Sequence, residues 1–471
     1  MVRMSLLVCI DCESVVEPYP PKYKCPVCGG LLEYRMRPER LRAAKLSGPL
    51  TFWRYRSLLP EVKNLVTMNE GGTPLHVVSR LADRMDLRSL LLKDETRNPT
   101  GSFRDRSAAL LLSNAIDLNY ETLICATNGN MGASLAAYCA KYGLVCHVLI
   151  PKIMDVGKLA QMLVYDAVIE ECGETVDKSI EEAERLASET GWYQATPELN
   201  PLTLEAQKTI SYEVSEQIGV PDWFIVPMGS GGTIYSIWKG FRELKEMGRI
   251  DSTPRMIGVQ AEGCSPIIDS YLKVRDYKGR RSGKPLTHAV GILVRKPLQL
   301  EMAIKAIKES DGTALSVSDK EIFQAEQAIA KLEGIFAEPA SSATIAALKR
   351  IRDSGMLDPK DRVVCLITGS GLKATDVLQA LAKKRKTAAL GAELSTKERI
   401  LRILSQRDAY GYEIWKALGK TMTRVAVYQH LNDLDRKGLT TTYSKEKRKY
   451  FRITERGRRV LRAIDELKIL L

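Results

Sequence analysis

Short apolar runs alternate with amphipathic helical patterns across residues 76–385. That alternation predicts an α/β chain whose parallel sheets are covered by helices on both faces. Two further observations complete the outline. A pair of Cys-x-x-Cys sequences stands near the start, and a small basic segment with helical patterns and one hairpin stands at the end. The expected organisation is a cysteine ribbon at 1–35, an α/β body at 36–385 with two subdomains and a cleft between them, a basic linker at 386–395 and a separate small domain at 396–471. A chain of 471 residues is long enough for several independent cores.

The first element is the ribbon. Cys9 and Cys12 form one pair and Cys25 and Cys28 the other, with Gly29-Gly30 allowing the tight turn that a metal knuckle needs. Four thiolates at this spacing predict a tetrahedral zinc. With no open position, such a site is structural and not catalytic. The other six of the ten cysteines lie among apolar neighbours and read as reduced core residues.

The body begins with a connector at 36–75 of mixed helical signal, ending in the turn Glu70-Gly71-Gly72-Thr73-Pro74-Leu75. Buried strands are predicted at 90–92, 123–126, 145–150, 223–226, 256–259 and 363–367. Helices are predicted at 107–115, 133–142, 176–189, 204–218, 234–247 and 318–332. Two strand-to-helix turns stand out. Asn98-Pro99-Thr100-Gly101-Ser102-Phe103-Arg104-Asp105-Arg106 and Gly229-Ser230-Gly231-Gly232-Thr233 each precede a helix, where unpaired backbone N–H groups can hold an anion. A tight turn with no ligand is the alternative for the second.

These blocks, taken in order over roughly 70–380, resemble the threonine synthases and related pyridoxal-phosphate (PLP) enzymes of the tryptophan-synthase-β type. Many of these begin with a similar ribbon. Glu70–Leu75 contains the family's GGTPL, and Leu92-Lys93-Asp94-Glu95 precedes the next block as it does there. Thr127-Asn128-Gly129-Asn130-Met131 stands where the family has STGNT. Leu199-Asn200-Pro201 with Glu205-Ala206-Gln207-Lys208-Thr209 is similar to its NP…EGQKT, and Glu338-Pro339-Ala340 to its EPA. Thr368-Gly369-Ser370-Gly371-Leu372-Lys373 resembles TGHGLK, with Ser370 in place of histidine. The resemblance implies a PLP phosphate on Gly229, Ser230, Gly231, Gly232 and Thr233. It also implies Asn130 on the cofactor's phenolic oxygen and Thr368 on its pyridine nitrogen.

The family's NPTGSFKDR reads here with Arg104 at the lysine. In the family that lysine forms an imine with PLP and later removes the substrate Cα proton. A guanidinium stays protonated and does neither. Its planar fork suits carboxylates and phosphates instead, so Arg104 with Lys93, Ser102 and Arg106 forms a candidate set for a small anionic ligand. PLP is then expected, if bound, to be held non-covalently.

The net charge of +13 is uneven. From residue 393 onward 19 Lys and Arg stand against 10 Asp and Glu, a net of +9. This is either a nucleic-acid footprint or a well-solvated surface. The segment shows capping-box spacing at Ser395–Glu398, a helix after Gly411, and a third over 423–436 with Val427, Tyr428, Leu431 and Leu434 facing inward. A hairpin tipped by Lys445, Lys447, Arg448 and Lys449 and a closing helix over 455–470 follow. This order predicts a winged helix-turn-helix. The words YGYEI, VYQHLNDLDRKGL and RKYFRITERG resemble the PadR regulators. The resemblance implies double-stranded DNA as partner, Arg424 and Gln429 in the major groove, the basic wing on phosphates, and a homodimer.

Two functions follow. One is a DNA-binding regulator that senses an amino acid, a phospho-amino acid or PLP. The other is a PLP-dependent threonine synthase, converting O-phosphohomoserine to threonine and phosphate, with an accessory winged helix. Apolar content of 45%, no apolar run of membrane-spanning length and no signal-peptide core at the start make a cytoplasmic protein the default.

Overall fold

The computed structural model describes residues 5–273, 286–374, 389–445 and 448–461. The chain divides into two compact units, residues 1–377 and 378–471.

The first unit opens with an antiparallel three-stranded ribbon of Val15–Val16, Ser5–Cys9 and Leu32–Met36. The body holds two sheets. The larger runs in the order Thr313–Val317, Arg255–Ala261, Trp223–Pro227, Arg362–Ile367, Ser89–Asp94 and Leu75–Val77. All neighbours are parallel except the last pair. The smaller runs Val168–Glu171, Val145–Ile150, Thr122–Ala126 and Tyr193–Gln194, wholly parallel. Central strands such as Phe224–Val226 and Val363–Ile367 are completely buried, which is why they are continuously apolar.

The alternation of strand and helix is as the sequence reading has it, with differences at the edges. The short strands Leu75–Val77, Val168–Glu171, Tyr193–Gln194 and Thr313–Val317, and the helices Val156–Val164, Leu300–Glu309 and Pro339–Asp353, are not among the predicted elements. The helix expected from residue 107 begins at Arg104 and runs to Asp117. Arg104 therefore occupies the first helical turn and not the preceding loop.

Four sequence blocks leave the C-terminal ends of parallel strands. Ser89–Asp94 leads to the turn before Arg104, Thr122–Ala126 to Thr127–Asn130, Trp223–Pro227 to the glycine loop, and Arg362–Ile367 to Thr368. Ligands of open parallel sheets bind at such ends. The Arg104 and Thr368 turns are stitched together: the Phe103 amide donates to the Thr368 carbonyl at 3.0 Å, and the Ser370 amide to the Gly101 carbonyl at 2.9 Å.

In the second unit a helix spans Ala389–Gln406, six residues upstream of the predicted capping box at Ser395. A second helix, Gly411–Ala417, and a third, Arg424–Arg436, follow. The Thr423 hydroxyl caps the third by accepting from the Ala426 amide. The sheet runs Ala409–Tyr410, Arg448–Ile453, Thr440–Lys445, all antiparallel. Val427, Leu431 and Leu434 enter the core, but Tyr428 is 41% exposed. One residue turns a helix by about 100°, which rotates Tyr428 off the face that Val427 occupies. Of the predicted closing helix, residues 455–461 are helical and the rest of that prediction lies outside the described residues. Of the predicted linker, 386–388 lie outside them, while 389–395 are not a linker but the first turns of the helix Ala389–Gln406.

Candidate functional site

A cleft is lined by all four strand-end blocks. Its floor is the loop Gly229–Thr233. Gly231 adopts φ +104°, and a side chain there would meet the Gln299 carbonyl at 2.6 Å, so only glycine fits the turn. The amides of Gly229, Ser230 and Gly231 find no protein acceptor among the described residues. The first amides of the helix Gly232–Glu246 have no intrahelical partner by geometry. The Ser230 Oγ is buried and also without a partner. An anion would satisfy all of these at once.

Asn130 starts the helix Asn130–Tyr142 and lines the cleft. Its Nδ2 donates to both oxygens of Glu338 at 3.0 Å, and its Oδ1 has no partner. Thr368 lines it too, with its hydroxyl 2.8 Å from Ser341 Oγ and donating to Glu338 Oε1 at 3.0 Å. Burial works against charge on Glu338, but Lys158 and the Asn130 amide outweigh it and keep the carboxyl below its usual range. The glycine cradle and the unpartnered Ser230 hydroxyl suit a phosphate, and Asn130 and Thr368 line the same cleft, so these residues are suited to hold PLP.

Arg104 enters the same cleft, half-buried, with its guanidinium carbon 4.6 Å from the centre of the Phe103 ring. It makes no hydrogen bond or ion pair among the described residues. Burial pulls its pKa down, and Glu198, Cys125 and Glu338 nearby push it back up. Glu198 also lines the cleft. Burial raises its carboxyl, and Arg104 opposes that. Glu198 escaped the sequence reading although it immediately precedes Leu199-Asn200-Pro201, because a single acid has no periodic or spacing signature.

Lys93 and Arg106 do not belong to the cleft. They are fully buried in an ion network behind it. Arg106 donates to Glu95 at 2.7 and 2.8 Å and to Glu213 at 2.8 Å, while Lys93 Nζ donates to Glu213 at 2.7 Å. Burial opposes charge on Glu213, but Arg106 and Lys93 hold its carboxyl well below the usual range. Glu213 also accepts the Gly72 amide at 2.8 Å, and Glu95 the Thr73 hydroxyl at 2.6 Å. The network thus fixes the Gly71–Thr73 turn and the helix that carries Arg104. Ser102 is fully buried, its hydroxyl unpartnered, and it does not line the cleft. The expected grouping of Arg104 with these three residues does not form.

Two other buried lysines lie close by. Lys158 pairs with Asp155 at 2.7 Å and Glu338 at 3.2 Å. Lys373 donates to the Thr100 carbonyl at 2.9 Å, and burial lowers its pKa to about 8. Neither lines the cleft, and no lysine does among the described residues.

The thiols of Cys9, Cys12, Cys25 and Cys28 all lie within 4.8 Å of one another, a set able to close around one metal ion. The ten cysteines are free thiols, and five of the remaining six are buried. In the second unit Arg424, Gln429, Lys445, Arg448 and Lys449 are exposed. The Arg424 guanidinium stacks on Trp415 at 4.8 Å and Tyr412 at 5.0 Å, and Arg448 on Tyr410 at 4.8 Å. Lys447 lies outside the described residues. No helix among the described residues is long and apolar enough to cross a membrane.

Comparison with known proteins agrees with this geometry. Residues 66–369 match the pyridoxal-phosphate dependent enzyme family, and residues 400–463 the transcriptional regulator PadR-like family. The threonine synthase of Methanocaldococcus jannaschii is 37% identical over 414 residues, 84% of this chain and 99% of that protein. That of Methanosarcina acetivorans is 38% identical over 384 residues, 79% and 92%. Among solved structures, maize serine racemase superposes with a TM-score of 0.56 at 19% identity, over 66% of this chain and 92% of its own. O-ureido-L-serine synthase gives 0.55 at 18%, over 71% and 100%, and both establish the fold alone. The chain therefore belongs to the pyridoxal-phosphate-dependent enzymes of the threonine synthase family and carries a C-terminal PadR-like domain.

Proposed function

We propose that this protein is a DNA-binding regulator whose threonine-synthase-like body senses a small molecule, with Arg104 standing where the family's imine-forming lysine belongs. The observation that carries the reading is the lining of the cleft. Among the described residues Arg104 is its one cationic side chain, and no lysine reaches it. When bound, PLP supplies an electron sink for bonds breaking at a substrate's Cα. The residues suited to hold it are those of the glycine loop with Asn130 and Thr368. A guanidinium is a poor nucleophile and a poor base at neutral pH. Lys158 is committed to two carboxylates, and Lys373 to a backbone carbonyl.

Under this reading the exposed basic wing and the head of the helix Arg424–Arg436 contact DNA, and a homodimer presents two of them to a pseudo-palindromic site. The effector shifts DNA occupancy only by binding the DNA-competent and incompetent states unequally. The four cysteines hold a structural zinc.

The test is the absorbance spectrum of the purified protein with added PLP, before and after Arg104→Lys, alongside DNA binding. The reading expects PLP to bind wild type without the visible band of a lysine-bound cofactor, and Arg104→Lys to create that band. A wild-type protein that already has the band and releases phosphate from O-phosphohomoserine is instead a threonine synthase with an accessory winged helix.

A further inference from the structure

The glycine loop is tied to the cysteine ribbon through a buried chain of charges. Glu33 lies on the ribbon strand Leu32–Met36, one residue past the register pair of Cys9 and Leu32, and is 3% exposed. Arg35 holds one of its oxygens from within the ribbon at 2.7 Å. The other oxygen is given wholly to the body: it accepts the Tyr235 hydroxyl at 2.7 Å and pairs with Lys239 at 3.4 Å. Both partners belong to the helix Gly232–Glu246, whose head forms one side of the anion cradle. Tyr235 stands in its first turn, and Lys239 one turn further along the same face. Lys239 also donates to the Tyr34 carbonyl and to Glu205 at 2.7 Å. Glu205 lies on the helix Leu202–Ile218, where Gln207 lines the cleft and accepts the Thr233 hydroxyl at 2.8 Å. Thr233 ends the loop, so two routes run from one ribbon carboxylate to one loop.

We propose that the cysteine ribbon is the positioning element of the anion cradle, with Glu33 fixing the head of the helix Gly232–Glu246 through Tyr235 and Lys239 so that the amides of Gly229–Thr233 converge on a phosphate. The inference rests on reading that loop as a phosphate site, and it holds for a regulator and an enzyme alike. Backbone donors bind an anion tightly only where their directions are fixed beforehand. The loop is rich in glycine and supplies little stiffness of its own, so its stiffness comes from the helix that follows it. Metal closure of Cys9, Cys12, Cys25 and Cys28 sets the strand that carries Glu33, and the carboxylate passes that position to the helix. Glu33, Tyr235 and Lys239 do not line the cleft, so they act on a ligand only through the loop.

The test is titration of the zinc-loaded full chain, freed of PLP by dialysis against hydroxylamine. The probe is pyridoxamine 5′-phosphate, which carries the phosphate but no aldehyde. Calorimetry gives the Kd, and the phosphorus NMR resonance of the bound probe reports the cradle directly. Tyr235→Phe removes only the hydroxyl that joins helix to ribbon, and Glu33→Gln removes the charge and keeps the shape. Each should weaken the probe about fivefold or more and move its bound phosphorus resonance toward the free value. The double variant should bind little worse than the weaker of the two, because both cut one link. Ser310→Ala removes a comparably buried hydroxyl at the far end of the same sheet, where it accepts the Met256 amide at 3.1 Å, and should leave both readings unchanged. Wild-type affinity in both Tyr235→Phe and Glu33→Gln overturns the proposal, as does an equal loss in Ser310→Ala. A wild-type protein that binds no probe overturns the cradle reading itself and the proposal with it, so the two failures are told apart.

Discussion

Arg104 and Arg106 lie two residues apart at the head of one helix and have opposite fates. Arg106 is wholly buried with both N–H edges of its guanidinium closed by Glu95 and Glu213. Arg104 stands in a cleft with the Phe103 ring against it and no hydrogen-bonded or ion-paired side-chain partner among the described residues. The same side chain is scaffold in one place and a candidate ligand holder in the other, and what separates them is whether the protein supplies the counter-charge. A charge closed from within costs stability when it is removed. A charge left open costs stability while it is present, and an external ligand can close it.

That contrast ranks the expected effects. Arg106→Ala strands Glu95 as a buried carboxylate without its cation, leaves Glu213 with Lys93 alone and should cost about 3–5 kcal/mol in urea unfolding. A loss below about 1 kcal/mol would show that the network is not closed as described. Metal removal tests the other closed set. Chelation, or Cys25→Ser, should release close to one zinc per chain by metal analysis and lower the melting temperature, because metal binding and ribbon folding are coupled. No bound zinc in the intact protein would break this arm.

Glu326 is the buried counterpart of an open charge. It is 3% exposed, both its oxygens lack partners among the described residues, and burial raises its carboxyl to about 7. Between the ordinary value near 4.5 and that raised value the folded state keeps a proton that the unfolded state has lost. Its contribution therefore favours folding at low pH and is lost as pH rises from about 4.5 to about 7. Glu326→Gln should remove that slope and stabilise the protein by about 1–2 kcal/mol at pH 8; equal curves for both proteins would mean Glu326 has a partner. The smallest stability effect belongs to Arg104→Lys, less than about 1 kcal/mol, since no partner is lost, even though its cofactor spectrum should change most. A stability loss matching that of Arg106→Ala would erase the distinction between the two arginines.

Much of this protein was legible one segment at a time. The strand-helix alternation, the two cysteine pairs, the glycine loop, Asn130, Thr368, the position of Arg104 and the winged-helix pattern each reside in a few consecutive residues. Their chemistry depends on local spacing and backbone conformation, so they survive without knowledge of the fold. The tertiary structure decided which charges meet. Lys93 and Arg106 looked like neighbours of Arg104 by sequence, yet their partner Glu213 lies 120 and 107 residues away and draws both out of the cleft. Glu198, with no motif of its own, enters the cleft because the sheets bring its loop there. Tyr428 leaves the core through a single residue of helical rotation. Side-chain pairing is set by distance in space, and distance in space between remote segments is what a linear pattern does not encode.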